Sequence, residues 1–227
     1  MCMQSVGSTN AYQAEKVFTK IANRGTILKN VKLYVSICFS IYSINLNYHK
    51  VSNMQISLQR IVAHTELYAW AMELLALSFP ATERRDDGLQ RQVLQHKDYR
   101  LCAIVQNGEP VGVVGYWETA EFIYFENFCV RPDKRNRGIG SATLQLLTNN
   151  GKRFILEIEP PVDELTCRRK AFYERNGMVA NVYDHIQPHY RATDPDLHLV
   201  VMSFGCAITP KEYATFRKYL DENVDVR

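Results

Sequence analysis

The stretch VRPDKRNRGIGSATLQLL, residues 130–147, decides the fold. Four basic side chains, Arg131, Lys134, Arg135 and Arg137, precede two glycines one residue apart, Gly138 and Gly140. A helical period follows, with Ile139, Ala142, Thr143 and Leu146 on one face. The first turn of a helix carries unpaired N–H groups and the positive end of the helix dipole. Glycine lets a ligand approach the backbone there, because no Cβ intervenes. Residues Arg135, Asn136, Arg137, Gly138, Ile139, Gly140 and Ser141 therefore read as an anion-binding turn, with Lys134 adding charge. The plainer reading is a glycine-rich turn with a solvated basic face. The flanks favour the anion site, because an aromatic strand feeds the loop through Val130 and Pro132. No Gly-Lys-Ser/Thr closes the loop, so it is not a Walker A motif, and the third glycine of a dinucleotide fingerprint is missing.

Outward from this stretch the pattern mixes helix and strand. Residues 54–62 (MQISLQRIV) alternate like a strand. Residues 66–79 have apolar positions at helical spacing and stop at Pro80, and residues 84–96 suggest a second, more polar helix. Three strands then run in series between Tyr99 and Val130, the first two joined by a QNGEP turn. After the basic loop and its helix, RFILEIE (153–159) reads as a strand. A helix from Asp163 to Asn176 is predicted, with Asp163 as N-cap and Gly177 just past its end. DLHLVVMSF (196–204) reads as the last strand, and Thr209 to Glu212 has capping-box spacing with Pro210 at the first helical position.

Residues 1–53 differ from the rest. They are rich in Asn, contain no Asp and show few helical periods. We expect an N-terminal extension there, poorly ordered or outside the core, with the folded domain running over 54–227. The apolar run Leu33–Leu46 is broken by Ser and Asn and is shorter than the roughly 20 residues that span a bilayer, so no membrane partner is expected. A net charge of +3 is too small to make nucleic acid the main partner. The six cysteines form no CxxC pair, and His185, His189 and His198 lack ligand spacing, so no metal is expected. Cys102 and Cys129 lie in apolar runs as small buried hydrophobes, which suits a reducing cytoplasm.

The loop resembles the acetyl-CoA pyrophosphate loop of the GNAT superfamily of N-acetyltransferases. Its signature Arg/Gln-x-x-Gly-x-Gly/Ala is matched by Arg135, Gly138 and Gly140. AFYERNGMV (171–179) is similar to the family's second motif, and the expected strand stands between the two. ExFxV (126–130), ExEPP (157–161) and IQPxYR (186–191) resemble a bacterial subgroup. The resemblance covers about residues 54–204. It implies an α+β fold of α/β/α layers: a mixed, mostly antiparallel central sheet, splayed between its fourth and fifth strands and flanked by helices. It implies acetyl-CoA as co-substrate and a primary amine of a small molecule or peptide as acceptor, attacked directly in a ternary complex.

The resemblance also assigns roles. Backbone N–H groups of Phe128, Cys129 and Val130 polarise the thioester carbonyl, Arg169 joins the cofactor side, and Tyr173 is the general acid. On the helix, Phe172 falls with Leu165 on an expected core face, and Tyr173 with Arg169 and Thr166 on a polar stripe; alone, that pattern favours a boundary aromatic with its hydroxyl in water. For the base or amine-binding group, the first candidate is Glu126, which stands in an apolar, aromatic strand where a carboxylate is costly unless it is paired or faces a cavity. Glu157 is the second candidate, and Glu159, placed by alternation on the same face, reads as a surface charge. Any of these carboxylates could instead only orient the amine. Gln187, Tyr190 and Arg191 lie in a polar stretch that in such folds covers the acceptor side; a plain connecting loop fits the pattern equally well. The aromatics between Tyr116 and Phe125 could stack on a ligand or fill the core, and monomer and homodimer both remain open. Two further readings stay beside this one. A CoA- or acyl-CoA-binding module without turnover has no need of both Tyr173 and Glu126. A nucleotide-binding protein would use the basic loop alone.

Overall fold

The computed structural model describes residues 55–224, and the expectation for residues 1–53 lies outside them. The described chain forms strands β1 (Ile56–Arg60), β2 (Tyr99–Gln106), β3 (Glu109–Glu118), β4 (Phe122–Val130), β5 (Arg153–Ile158), β6 (Met178–Ala180) and β7 (Val200–Phe204). Its helices are α1 (Glu66–Ser78), α2 (Asp87–Val93), α3 (Ile139–Thr148), α4 (Glu164–Arg175) and α5 (Pro210–Asn223). Short 3₁₀ turns occupy Ala81–Glu83 and Pro132–Lys134.

One sheet of order β1-β2-β3-β4-β5-β7-β6 runs through the molecule. All neighbours are antiparallel except β4 and β5, which the crossover through α3 makes parallel. This is the mixed α+β sheet expected. Asn107 and Gly108 both take positive φ (53° and 80°), the two left-handed residues that close a tight hairpin between β2 and β3. Aromatic and aliphatic side chains of β4 alternate between two cores. Phe122 and Tyr124 pack with Ala71 and Leu75 of α1 and Phe216 and Leu220 of α5. Ile123 and Phe125 pack with Ile139, Leu144 and Leu147 of α3 and Tyr173 of α4.

That alternation breaks once. Gly115 pairs with Asn127 and Tyr116 with Phe125, so Glu126 is an extra residue in β4. Such a bulge shifts the side-chain phase and ends regular pairing. The ladder between β4 and β5 stops at the same level, after Phe125 and Leu156. Beyond it each strand keeps its outer partner: β4 stays on β3 as far as Val130, and β5 stays on β7 as far as Ile158. The two strands therefore diverge, as expected for the fourth and fifth.

Several boundaries differ from expectation. The polar segment 84–96 is helical only over Asp87–Val93, started by an Asp86 side-chain cap on Leu89 N–H. The last strand begins at Val200 rather than Asp196, and β6 carried no sequence signal. On α3 the buried face uses Leu144 and Leu147, whereas Leu146 is half exposed. The caps at Asp163 and Thr209 form as full capping boxes.

Candidate active site

The divergence of β4 and β5 opens a cleft of about 620 Å³. All the catalytic and cofactor-side residues named above line it except Arg137, which is exposed on the loop outside it; of the acceptor-side stretch Gln187 and Tyr190 line it and Arg191 does not.

At one end lies the basic loop. Asn136 and Gly138 take positive φ (61° and 83°), which bends the chain sharply into α3. Ala142 N–H closes the first helical hydrogen bond, to Gly138 C=O at 3.0 Å. The N–H groups of Ile139, Gly140 and Ser141 precede that bond and have no intrahelical partner. Gly140 is needed for packing as well as approach: a Cβ there would stand 3.0 Å from Cζ of Phe172 on α4. The charge is more local than the sequence suggests. Arg131 and Lys134 both pair with Glu109, at 2.6 and 2.7 Å. Arg135 donates its Nε–H to Val130 C=O at 3.0 Å. Arg168 and Arg175 of α4 add positive charge to the lining, which sequence patterning gave no reason to pick out. The turn thus presents unpaired donors and cations, the chemistry that fits a pyrophosphate.

Helix α4 forms the middle wall. Its inward face is Thr166 and Tyr173, while Phe172 is half-buried and Leu165 is half exposed. The polar stripe of the sequence is therefore the face turned to the protein, because the capping box commits Thr166 to Asp163. The Tyr173 hydroxyl makes no hydrogen bond among the described residues. Burial pushes it up to about 12, and Arg169 opposes this more weakly. Arg169 itself pairs with Glu159. Glu159 thus follows the end of β5 and faces α4; it does not share a face with Glu157. Cys129 is buried, and burial raises its thiol, the wrong direction for a nucleophile.

Two carboxylates at the splay are held in buried networks. The Glu126 carboxylate receives both Arg85 nitrogens, at 2.7 and 2.9 Å, with both side chains nearly inaccessible. The guanidinium lies over the Tyr190 ring, 4.4 Å from its centroid. Burial is the largest single influence and would lower Arg85; the charge and hydrogen bond of Glu126, joined by Tyr190 and Tyr99, together outweigh it and raise the group. The carboxylate in the apolar strand is thus paired, by a residue that sequence reasoning missed. Glu157 accepts the Tyr124 hydroxyl at 2.8 Å and meets His185 Nε2. His185 Nδ1 lies 3.0 Å from the Tyr213 hydroxyl, which in turn donates to Asp184 C=O. Tyr213 spends its proton on Asp184, so His185 Nδ1–H donates to Tyr213.

The stretch 181–199 straps this end. Gln187 Nε2 donates to Thr82 C=O at 3.2 Å, and Arg191 donates to the carbonyls of Ala81 and Arg84. Gln187 and Tyr190 line the cleft. The strap holds the Ala81–Glu83 turn against β4, where Asn127 Nδ2 reaches Glu83 C=O at 3.4 Å. Among the described residues no cluster of His, Cys, Asp or Glu could hold a metal, and no helix is long and apolar enough to cross a membrane.

A parallel strand pair that diverges over a helix N-terminus is the frame of a class of group-transfer enzymes, and comparison with known proteins agrees. The sequence profile of the Acetyltransferase (GNAT) domain matches residues 97–178. A solved structure from Bacteroides thetaiotaomicron, described as an acetyltransferase of the GNAT family, is 32% identical with a TM-score of 0.69; the match covers 74% of this chain and 97% of that one. More distant matches include the ribosomal-protein-S18-alanine N-acetyltransferase of Escherichia coli (18% identical, 69% and 97% covered, TM-score 0.47). Another is a GNAT acetyltransferase of Elizabethkingia anophelis (16%, 66% and 97%, 0.46). No curated protein matches significantly. The chain belongs to the GNAT family of acetyltransferases.

Proposed function

We propose that the protein is an acetyl-CoA-dependent N-acetyltransferase that acts on a primary amine by direct attack in a ternary complex. One observation carries this reading: unpaired helix N–H groups and the hydroxyl of Tyr173, which has no hydrogen bond among the described residues, border the same cleft that the β4 bulge opens. The pyrophosphate would lie against Arg135, Asn136 and the N–H groups of Ile139 to Ser141. Phe128 to Val130, unpaired with β5 beyond the bulge, would offer backbone donors to the thioester oxygen.

Tyr173 is the general acid. An amine of pKa about 10.4 must shed a proton before it attacks, and the departing thiolate must gain one. Raised by burial, the phenol holds its proton across the working range and can give it to sulfur. Glu126 and Glu157 act differently from the expectation of a free base. Their networks fix the bulge and the strap, so they position the acceptor end. The buried, raised thiol of Cys129 argues against a covalent acetyl-cysteine route.

The test is CoA release from acetyl-CoA against a panel of amines, by wild type and Tyr173→Phe. Turnover that falls sharply in the variant is the expected result. Tight CoA binding without turnover on the whole panel would instead favour a silent binding module. The absence of CoA binding would remove the reading of the 135–141 loop.

A further inference from the structure

Four carboxylates line the cleft: Glu83, Glu126, Glu157 and Glu159. Three are already committed, Glu126 to Arg85, Glu157 to Tyr124 and His185, and Glu159 to Arg169. The Glu83 carboxylate alone has no hydrogen bond or ion pair among the described residues. It sits at the end of the Ala81–Glu83 turn, whose carbonyls receive Gln187 and Arg191 from the strap and Asn127 from β4. Four consecutive residues, Ala81 to Arg84, are therefore fastened through their backbone carbonyls, while the Glu83 side chain is left over. A half-buried carboxylate without a partner is costly, and a fold that spends several hydrogen bonds to hold one in place presents it to something.

We propose that Glu83 receives the ammonium group of the acceptor and takes its proton. The proposal rests on the transferase reading above. The step balances as follows. An ammonium N–H proton passes to the Glu83 carboxylate and is later released to water. The freed nitrogen pair forms the C–N bond, the C–S bond breaks with its pair on sulfur, and the Tyr173 proton goes to sulfur. A second proton lost from nitrogen restores the phenol. A carboxylate without a counter-ion selects acceptors that arrive as cations, so the acceptor class is a protonated aliphatic amine whose charge replaces the missing partner. The charged and titratable groups bordering the same end are Arg169 with Glu159, Tyr173, the Arg85–Glu126 pair, Tyr190 and Glu157 with His185. Burial raises the Glu83 carboxyl and Arg169 opposes that, which brings its titration toward the range where a base is useful.

The experiment compares wild type, Glu83→Gln and Glu83→Asp, as full chains, on aliphatic amines and on an alkoxyamine that is neutral at the assay pH. For aliphatic amines, kcat/KM should fall at least about a hundredfold in Glu83→Gln and recover partly in Glu83→Asp. The acidic limb of the pH profile should vanish, and KM for acetyl-CoA should hold. The loss should be several-fold smaller for the alkoxyamine, which needs no proton removed before attack; a purely structural defect would lower both alike. If wild type turns over its amine and Glu83→Gln keeps kcat/KM within about threefold with the same pH profile, this assignment is overturned and the transferase reading stands. If wild type acetylates no amine of the panel, both fall.

Discussion

The two ends of the cleft are built on different principles. The end proposed for the cofactor is largely local: one loop and the first turn of α3, Arg135 to Ser141, present their own backbone, with Arg168 and Arg175 of α4 added alongside. The acceptor end is assembled from far apart, with Arg85 reaching Glu126 across 41 positions and Gln187 reaching Thr82 across 105. A local site depends on backbone conformation. An assembled site depends on buried charge being matched, and its cost when broken is larger.

The sharpest separation of chemistry from architecture is Tyr173→Phe. Its hydroxyl has no partner to lose, so thermal stability should stay close to wild type while kcat falls about 10²- to 10⁴-fold. In wild type the phenol must be protonated to act, and with its titration near 12 the rate should show no decline from this group until the pH approaches that value. An alkaline limb at much lower pH that disappears in the phenylalanine variant would keep Tyr173 as the acid and overturn its raised titration; unchanged kcat in the variant would break the assignment.

Next comes Arg85→Ala. It strands the buried Glu126 carboxylate and removes a guanidinium that lies over Tyr99, Trp117 and Tyr190, and should cost roughly 3–5 kcal/mol in denaturant unfolding. The double replacement Arg85→Met with Glu126→Leu should recover most of that stability. Failure to recover would mean that the pair does more than cancel charge. At the cofactor end, Gly138→Ala should cost about 1–2 kcal/mol, because φ of 83° puts a Cβ in the left-handed region. It should weaken CoA binding in calorimetry without altering acceptor preference.

The smallest effect concerns stability at Glu83. Its carboxyl is raised in the folded state, so the folded protein holds that proton more tightly than the unfolded chain. Stability is therefore lost as pH rises through the folded value. Glu83→Gln should be slightly more stable than wild type at pH 8, with the gain fading toward pH 4 in thermal melts. A variant less stable than wild type at pH 8 would mean that the carboxylate has a partner.

Much of the cofactor end was legible in the sequence because the necessary information is contiguous. Gly138, Gly140 and the helical period after them specify both the turn and its donors. The capping boxes at Asp163 and Thr209 were legible for the same reason. The stripe on α4 was misread, since helical spacing shows which residues share a face but not which face turns inward. Thr166 looks solvated in sequence and is buried once Asp163 satisfies it. Arg85 and Glu83 sit in ATERRDDG, which reads as a polar surface helix; nothing nearby marks one as fully buried and the other as left without a partner.

The sequence by itself determined most strands and helices, the hairpin at Asn107-Gly108 and the glycine turn into α3, because these follow from dihedral preferences and periodicity within a few residues. Only the tertiary structure decided the fate of the carboxylates. Their environment depends on a one-residue bulge in β4 and on a strap more than sixty positions downstream of it. Desolvation and pairing in three dimensions, rather than residue type, separate a structural Glu126 from an available Glu83.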